Sequence, residues 1–366
     1  MTQPLPMHGG QLRAIASRYG LKEKQLLDFS ANIQPDGPPV SVMTALASAL
    51  GDRSVITSYP DLEHHELKAS IGGAIHVPGT SLAIANGFVP LLEAFLEEMK
   101  VRRCLLPVPA FLEYRRVLTQ HSVDVVASLL REDCRFSYDL DGLLDEAVRA
   151  GADTILLANP QNPSGVLAPA SRLSEFVQRA TQKNIRILLD EAFIDYAPSE
   201  SLAAAAPTTP NLVVFRSVTK FYAMPGLRVA YAVGHPTLVA AAANRIAPWA
   251  VSTLAAIAVS AALKDGDYAQ QALNQNLAAR QQLATGLAEL GHTVFPSSAN
   301  FLLIRLAAGI CAKSFWERMI REQHIVLRAC ANYEGLDARH YRIAVRSAEE
   351  NLRLLQAMSA FRAGTR

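Results

Sequence analysis

An α/β fold built on a mostly parallel sheet is what this chain predicts, and three observations carry that expectation. Short apolar runs recur at residues 82–85, 104–107, 123–126, 154–158, 185–189, 212–215 and 229–232. Helix-length amphipathic stretches separate most of them; in 171–183, Leu173, Phe176, Val177 and Ala180 fall at helical spacing. The runs are apolar throughout rather than alternating, as strands are when helices cover both faces of their sheet. After Pro236 the texture changes. Long alanine- and leucine-rich helices follow, with 267–286 reading as one, then strand-like pieces at 301–304, 325–327 and 341–344 among helical stretches at 312–322 and 348–361. That mixture predicts a smaller α+β C-terminal domain. At 366 residues the chain exceeds what one core usually holds. The expected division is an N-terminal arm (1–37) joining the small domain and the site, a large domain (38–245) and a small C-terminal domain (246–366), with ligands in the cleft.

Composition narrows the function classes. Half of the residues are hydrophobic, 19% are charged and the formal net charge is +2, which gives no electrostatic basis for binding nucleic acid or an acidic surface. Cys104, Cys134, Cys311 and Cys330 lie far apart, without metal-type spacing, and read as reduced thiols. Met1-Thr2-Gln3-Pro4 opens no signal peptide. The most apolar tract, 253–263, is shorter than the roughly 20 residues of a membrane span. A cytoplasmic protein is expected. His64 and His65 stand among Glu63 and Glu66 on a helical stretch and read as a solvated face rather than as metal ligands.

Chemistry concentrates where the apolar runs end, the edge at which open α/β sheets bind ligands. Asp190 follows the run 185–189. Taken alone it is more readily a helix cap than a ligand. About thirty residues further on, Lys220 lies in Ser217-Val218-Thr219-Lys220, with Pro225-Gly226 turning the chain toward Arg228. An amine able to form a Schiff base, a carboxylate for a pyridine nitrogen, and two hydroxyls plus a guanidinium for a phosphate together describe a pyridoxal phosphate site. Asn86-Gly87 opens a helix at Phe88, whose free N–H groups suit the same phosphate. Phe111, after Pro109-Ala110, is placed to stack on a flat ring. Asn162, in Asn159-Pro160-Gln161-Asn162-Pro163, is a donor suited to a phenolic oxygen.

Further cations suggest an anionic substrate. Arg328 follows the run 325–327, and Arg342 and Arg346 bracket an apolar strand, where burial without anionic partners is costly. An amino-acid carboxylate accounts for one arginine; a second anion accounts for another, with His8 in His8-Gly9-Gly10 adding to it.

Lys220 with Asp190, Asn162 and Arg228 resembles the fold-type I, aspartate-aminotransferase-like group of pyridoxal phosphate enzymes. Narrower segments are similar to its histidinol-phosphate aminotransferase branch, and most of all to the threonine-phosphate decarboxylases of cobalamin biosynthesis. They are His8-Gly9-Gly10, Asp28-Phe29-Ser30-Ala31-Asn32, Tyr59-Pro60-Asp61, Asp190-Glu191-Ala192-Phe193, Thr219-Lys220-Phe221-Tyr222, Cys330-Ala331-Asn332-Tyr333 and Tyr341-Arg342-Ile343-Ala344. The resemblance implies that Lys220 carries the cofactor, Asp190 pairs with its ring nitrogen, Phe111 stacks on it and Asn162 binds its phenolic oxygen. Asn86, Gly87, Phe88, Ser217, Thr219 and Arg228 would hold its phosphate. Tyr59 would reach the cofactor of a second subunit, which implies a homodimer. Arg342 would take the substrate carboxylate and Arg328 with His8 the substrate phosphate; Gly9 and Asn32 would line the substrate site.

Two departures bear on function. Ala85-Asn86-Gly87-Phe88-Val89-Pro90 replaces the polar or acidic residues that often follow Gly-Asn-Gly in the group, and Pro90 removes one N–H. Phe193 stands where aminotransferases of the branch usually have tyrosine, which fits the decarboxylases better. The expected reaction is decarboxylation of O-phospho-L-threonine to (R)-1-aminopropan-2-yl phosphate, with a histidinol-phosphate aminotransferase as the alternative. A cofactor-sensing regulator is disfavoured because no basic helical unit precedes Asn32.

Overall fold

The computed structural model describes residues 8–361; Met1-Thr2-Gln3-Pro4, read above for a signal peptide, lies outside them. Seven strands form the large sheet in the spatial order Leu82–Ala85, Ala230–Val233, Leu212–Ser217, Arg186–Asp190, Thr154–Ala158, Arg103–Val108 and Asp124–Leu129. All pair in parallel except Ala230–Val233, which runs against both of its neighbours. Within a strand, successive side chains enter opposite cores. Ile155, Leu157, Ile187, Leu189 and Val214 pack on one face, and Leu156, Ala158, Leu188, Val213 and Phe215 on the other. Both faces are buried, so no polar residue was required in these runs.

The C-terminal unit is a four-stranded antiparallel sheet in the order Arg328–Ala329, His340–Ala344, Phe301–Arg305, Thr293–Val294. Helices Gly266–Glu289, Ala312–Gln323 and Ala348–Ser359 contribute Leu283, Leu287, Phe315, Met319, Leu354 and Met358 to its core. The apolar helix Thr253–Leu263 instead buries Ala255, Ala258, Val259 and Ala262 in the core of the large sheet, against helices Val40–Leu50 and His65–Ile75. None of the helices in the described residues is long and apolar enough to cross a membrane.

The expected strand 325–327 ends at Val326, and a second strand begins just beyond it. Ile325–Val326 pairs in parallel with Leu27–Asp28, whereas Arg328–Ala329 joins the antiparallel sheet. The physical reason is that the N-terminal arm supplies its own short strand there. Helix Leu12–Tyr19 and Phe29 bury Ile15, Ala16 and the Phe29 ring in the C-terminal core. Phe29 N–H donates to Val326 O (2.9 Å), and Phe29 O accepts from Ala344 N–H (2.9 Å). The arm is therefore a structural part of the C-terminal unit, and it carries His8, Ser30 and Asn32 to the cleft. Phe29→Ala removes a fully buried ring and should cost about 3–5 kcal/mol. Urea unfolding measures this; an unchanged midpoint would mean that the arm is not integral to that core.

Candidate active site

Strand ends converge because of the one reversed strand. Ala230 opens Ala230–Val233 and pairs with both Ser217 and Ala85, the last residues of two strands running the other way. The residue two places before it, Arg228, thus arrives at the carboxyl edge of the sheet beside the Ser217 and Gly87 turns. Arg228 adopts a left-handed conformation (φ 54°) to do so. Its Nη2 lies 3.0 Å from where a Cβ on Gly87 would stand, so only glycine there leaves the guanidinium its place; Gly87 also has φ 96°.

Gly87 N–H is spent on Ala85 O (2.8 Å). The donors that helix Phe88–Glu98 offers at its start are consequently Phe88 and Val89, Pro90 having none. Ser217 Oγ, at the strand end, and Thr219 Oγ1, in the loop after it, lie 2.8 Å apart. Two backbone donors, two hydroxyls and Arg228 thus meet at one end of a cavity of about 480 Å³.

Asp190 lies on the cavity floor, at the end of the strand next to the one that leads to Lys220. Tyr114 Oη donates to its Oδ2 (2.5 Å) and Ala192 N–H to its Oδ1 (2.9 Å). Burial pushes the Asp190 carboxyl up to about 6, although Tyr114, Ala192 and Lys220 all favour its charged form. Burial likewise pushes Lys220 down to about 8, helped by the Arg228 and Arg342 guanidinium groups and opposed by Asp190. Phe111 forms a wall of the cavity with its ring edge-on to Tyr114 (centroids 5.5 Å apart).

The opposite wall comes from the C-terminal unit and the arm. Buried Arg342 donates to Asn162 Oδ1 (2.7 Å) and Ser30 O (3.1 Å) and lies over the Phe301 ring at 5.4 Å. Because Asn162 Oδ1 accepts from Arg342, the amide nitrogen is what Asn162 offers a ligand. Phe193 packs edge-on against Phe301 with centroids 5.0 Å apart, a dry surface without a hydroxyl. Arg328 is buried, bonds Asn332 Oδ1 (3.0 Å) and lies over Tyr333. Asn32 Oδ1 is buried and has no hydrogen-bond partner, an acceptor facing a space that a ligand donor fits. Gly9 lies against the Ser30 carbonyl, where a Cβ would stand 1.9 Å from the oxygen.

All but two of the residues selected from sequence therefore line one cavity: His8, Gly9, Asn32, Asn86, Gly87, Phe88, Phe111, Asn162, Asp190, Ser217, Thr219, Lys220, Arg228, Arg328 and Arg342. Tyr59 is outside it, 81% exposed and set against Trp249 at 4.8 Å. Arg346 also points elsewhere, bonding Asp28 O and Glu350 next to the helix cap at Ser347. Sequence reasoning missed Tyr114, Glu113, Ser30 and Tyr333. Tyr114 had a signal, since it follows Phe111 by three residues on a helical turn.

Comparison with known proteins gives the family. The family model for Aminotransferase class I and II matches residues 24–358. The chain is 38% identical to a threonine-phosphate decarboxylase of Salmonella typhimurium, over 96% of this chain and 95% of the relative. It is 29% identical to an adenosylcobalamin biosynthesis bifunctional protein of Leptospira interrogans, over 99% of this chain and 42% of the relative. The crystal structure of histidinol-phosphate aminotransferase from Sinorhizobium meliloti in complex with pyridoxal-5'-phosphate superposes with a TM-score of 0.85 at 25% identity, over 98% of this chain and 95% of that one. The chain belongs to the class I and II aminotransferase family.

Proposed function

We propose that this protein binds pyridoxal phosphate and decarboxylates O-phospho-L-threonine to (R)-1-aminopropan-2-yl phosphate, a step of cobalamin biosynthesis. The observation that carries this reading is the pair of anion-binding groups on opposite walls of one cavity, with Lys220 and Asp190 between them. The donors at Phe88, Val89, Ser217, Thr219 and Arg228 fit the cofactor phosphate. Asp190 fits the ring nitrogen, Phe111 the ring face and the Asn162 amide nitrogen the phenolic oxygen. The second group, Arg342 with Arg328 and His8, fits a substrate bearing both a carboxylate and a phosphate. The 38% identity to a threonine-phosphate decarboxylase supports the same choice.

When bound, the cofactor supplies an electron sink for the pair released at the substrate α-carbon. The chain's own residues do the rest. Tyr114 and Ala192 hold the Asp190 carboxylate in place, and Asn162 with Ser30 holds Arg342 as the carboxylate anchor. Arg342 on the carboxylate and Arg328 with His8 on the phosphate would fix the rotation of the substrate about its α-carbon, an orientation effect able to supply several kcal/mol (about 7–11 at its upper end). With the C–C bond to the carboxylate broken and carbon dioxide lost, Lys220 would return a proton to the α-carbon. Phe193 and Phe301 would present no hydroxyl to the cofactor, which fits the decarboxylase reading better.

A homodimer is part of the proposal. Val40, Met43, Leu50, Ile56, Tyr59 and Leu62 are exposed large apolar residues within one stretch of chain, with Trp249 beside Tyr59. A second copy of this chain would cover them and receive Tyr59 at its cofactor.

Incubation with O-phospho-L-threonine should release carbon dioxide without consuming a keto acid; stoichiometric glutamate formation from 2-oxoglutarate would count against the proposal. Lys220→Ala should lose the long-wavelength cofactor absorbance, and a variant that keeps it would sink the role of Lys220. Phe193→Tyr should raise abortive transamination several-fold, seen as accumulation of the pyridoxamine form during turnover. Asp190 gives a pH signature in the cofactor-free chain. Between its ordinary value of 3.8 and about 6, the folded chain holds a proton that the unfolded chain has lost, so this group costs stability as pH rises. Relative to Asp190→Asn, the parent should therefore lose about 2–3 kcal/mol between roughly pH 4 and pH 6. Paired urea-unfolding curves measure it, and a pH-independent difference would overturn the assignment.

A further inference from the structure

Glu113 is out of place in a cavity built for anions. Among the described lining residues it and Asp190 are the carboxylates, facing Lys220, Arg228, Arg328, Arg342 and His8. Asp190 has a use in the proposed cofactor site; Glu113 has none. Its side chain is only 15% exposed. Both oxygens are engaged: Oε1 lies 3.1 Å from His8 Nε2, and Oε2 accepts from Arg116 Nε at 2.5 Å. Arg116 is fixed in turn by Gln120 Oε1 (2.6 Å). His8 and Arg328 also line a common small recess beside the main cavity.

We propose that Glu113, backed by Arg116, is a positioning residue for the substrate phosphate, orienting His8 while leaving the cluster positively charged. The proposal rests on the reading that His8 and Arg328 take that phosphate. With Nε2 turned to Glu113, Nδ1 is the ring nitrogen left for a phosphate oxygen. Glu113 alone would oppose a phosphate. Arg116 offsets its charge, and Arg328 adds a positive charge of its own, complementing a phosphate of about −1.5 to −2. The placement has a further effect. Glu113 and Tyr114 are neighbours in the first turn of helix Leu112–Gln120, directly after Phe111. One helical turn thus sets His8 at the substrate end and Asp190 at the cofactor end.

The test uses the holoenzyme variants Glu113→Gln, Arg116→Gln and His8→Asn, alone and with each of the first two combined with the third. KM for O-phospho-L-threonine should rise about tenfold in Glu113→Gln and about threefold in Arg116→Gln, with kcat kept within about twofold. Binding is also read by calorimetry with O-phosphorylated 3-hydroxybutyrate, which keeps the carboxylate and phosphate but has no amine to react. Its Kd should rise in parallel, while Kd for unphosphorylated 3-hydroxybutyrate should not move. In the His8→Asn background neither substitution should add an effect. An unchanged KM and Kd in Glu113→Gln, or an equal rise without His8, overturns the positioning role while the proposed reaction stands. An unchanged KM in His8→Asn alone overturns the assignment of the phosphate to His8, and this inference with it. Arg116 lies exposed on the helix, so its variant reports on charge even where Glu113→Gln folds poorly.

Discussion

Asp190 ends an apolar strand on the floor of the cavity, and a charge in that position is opposed by everything around it. Burial outweighs every opposing contact and leaves its carboxyl pushed up to about 6. Tyr114, the Ala192 amide and the Lys220 ammonium pull the other way, and each is placed by a different element: a helix after one strand, the turn after a second, the loop after a third. The geometry of the site can be read as the answer to this requirement. Lys220 experiences the mirror image, losing charge to burial and to two guanidinium groups while Asp190 favours keeping it. A buried acid and a buried amine with values brought toward neutrality are what proton-transfer chemistry near neutral pH uses.

The cavity is shared between two structural units, and the sharing is physical. The phosphate cradle, Asp190 and Lys220 belong to the large sheet; Arg328 and Arg342 belong to the antiparallel sheet. The arm, packed in the C-terminal core through Ile15, Ala16 and Phe29, contributes Ser30, Asn32 and His8. Polar contacts then cross the cleft, from Arg342 to Asn162, His8 to Glu113 and Arg115 to Glu334 (2.6 Å). The last two both start from the first turn of helix Leu112–Gln120. Motion between the units would therefore be felt first at the substrate anchors.

Much of this was legible in the sequence for a simple reason. Strands buried on both faces are continuously apolar, and the residues that do chemistry are the polar ones that follow them. Asp190, Asn162, Ser217, Thr219 and Lys220 all stand out on that basis. What escaped depends on pairing rather than pattern. An aromatic residue inside a helix reads as core, which hid Tyr114. Nothing local marks Glu113 as the partner of His8, more than a hundred residues away. That Ile325–Val326 and Arg328–Ala329 belong to different sheets required knowing that Leu27–Asp28 forms a strand of its own. Tyr59 was selected by resemblance alone, and within a single chain it points to solvent.

The Ser30 carbonyl carries two loads at once. Arg342 donates to it from one side, and Gly9 lies against it from the other, with no room for a Cβ. It acts as a common reference point, so that a positional error at the arm is transmitted to the guanidinium rather than absorbed. Bulk added at position 9 would accordingly show as a misaimed carboxylate anchor and lost reaction specificity before it showed as unfolding. In such a linkage the fidelity of bond choice is stored partly in the backbone of a segment that touches no reacting atom.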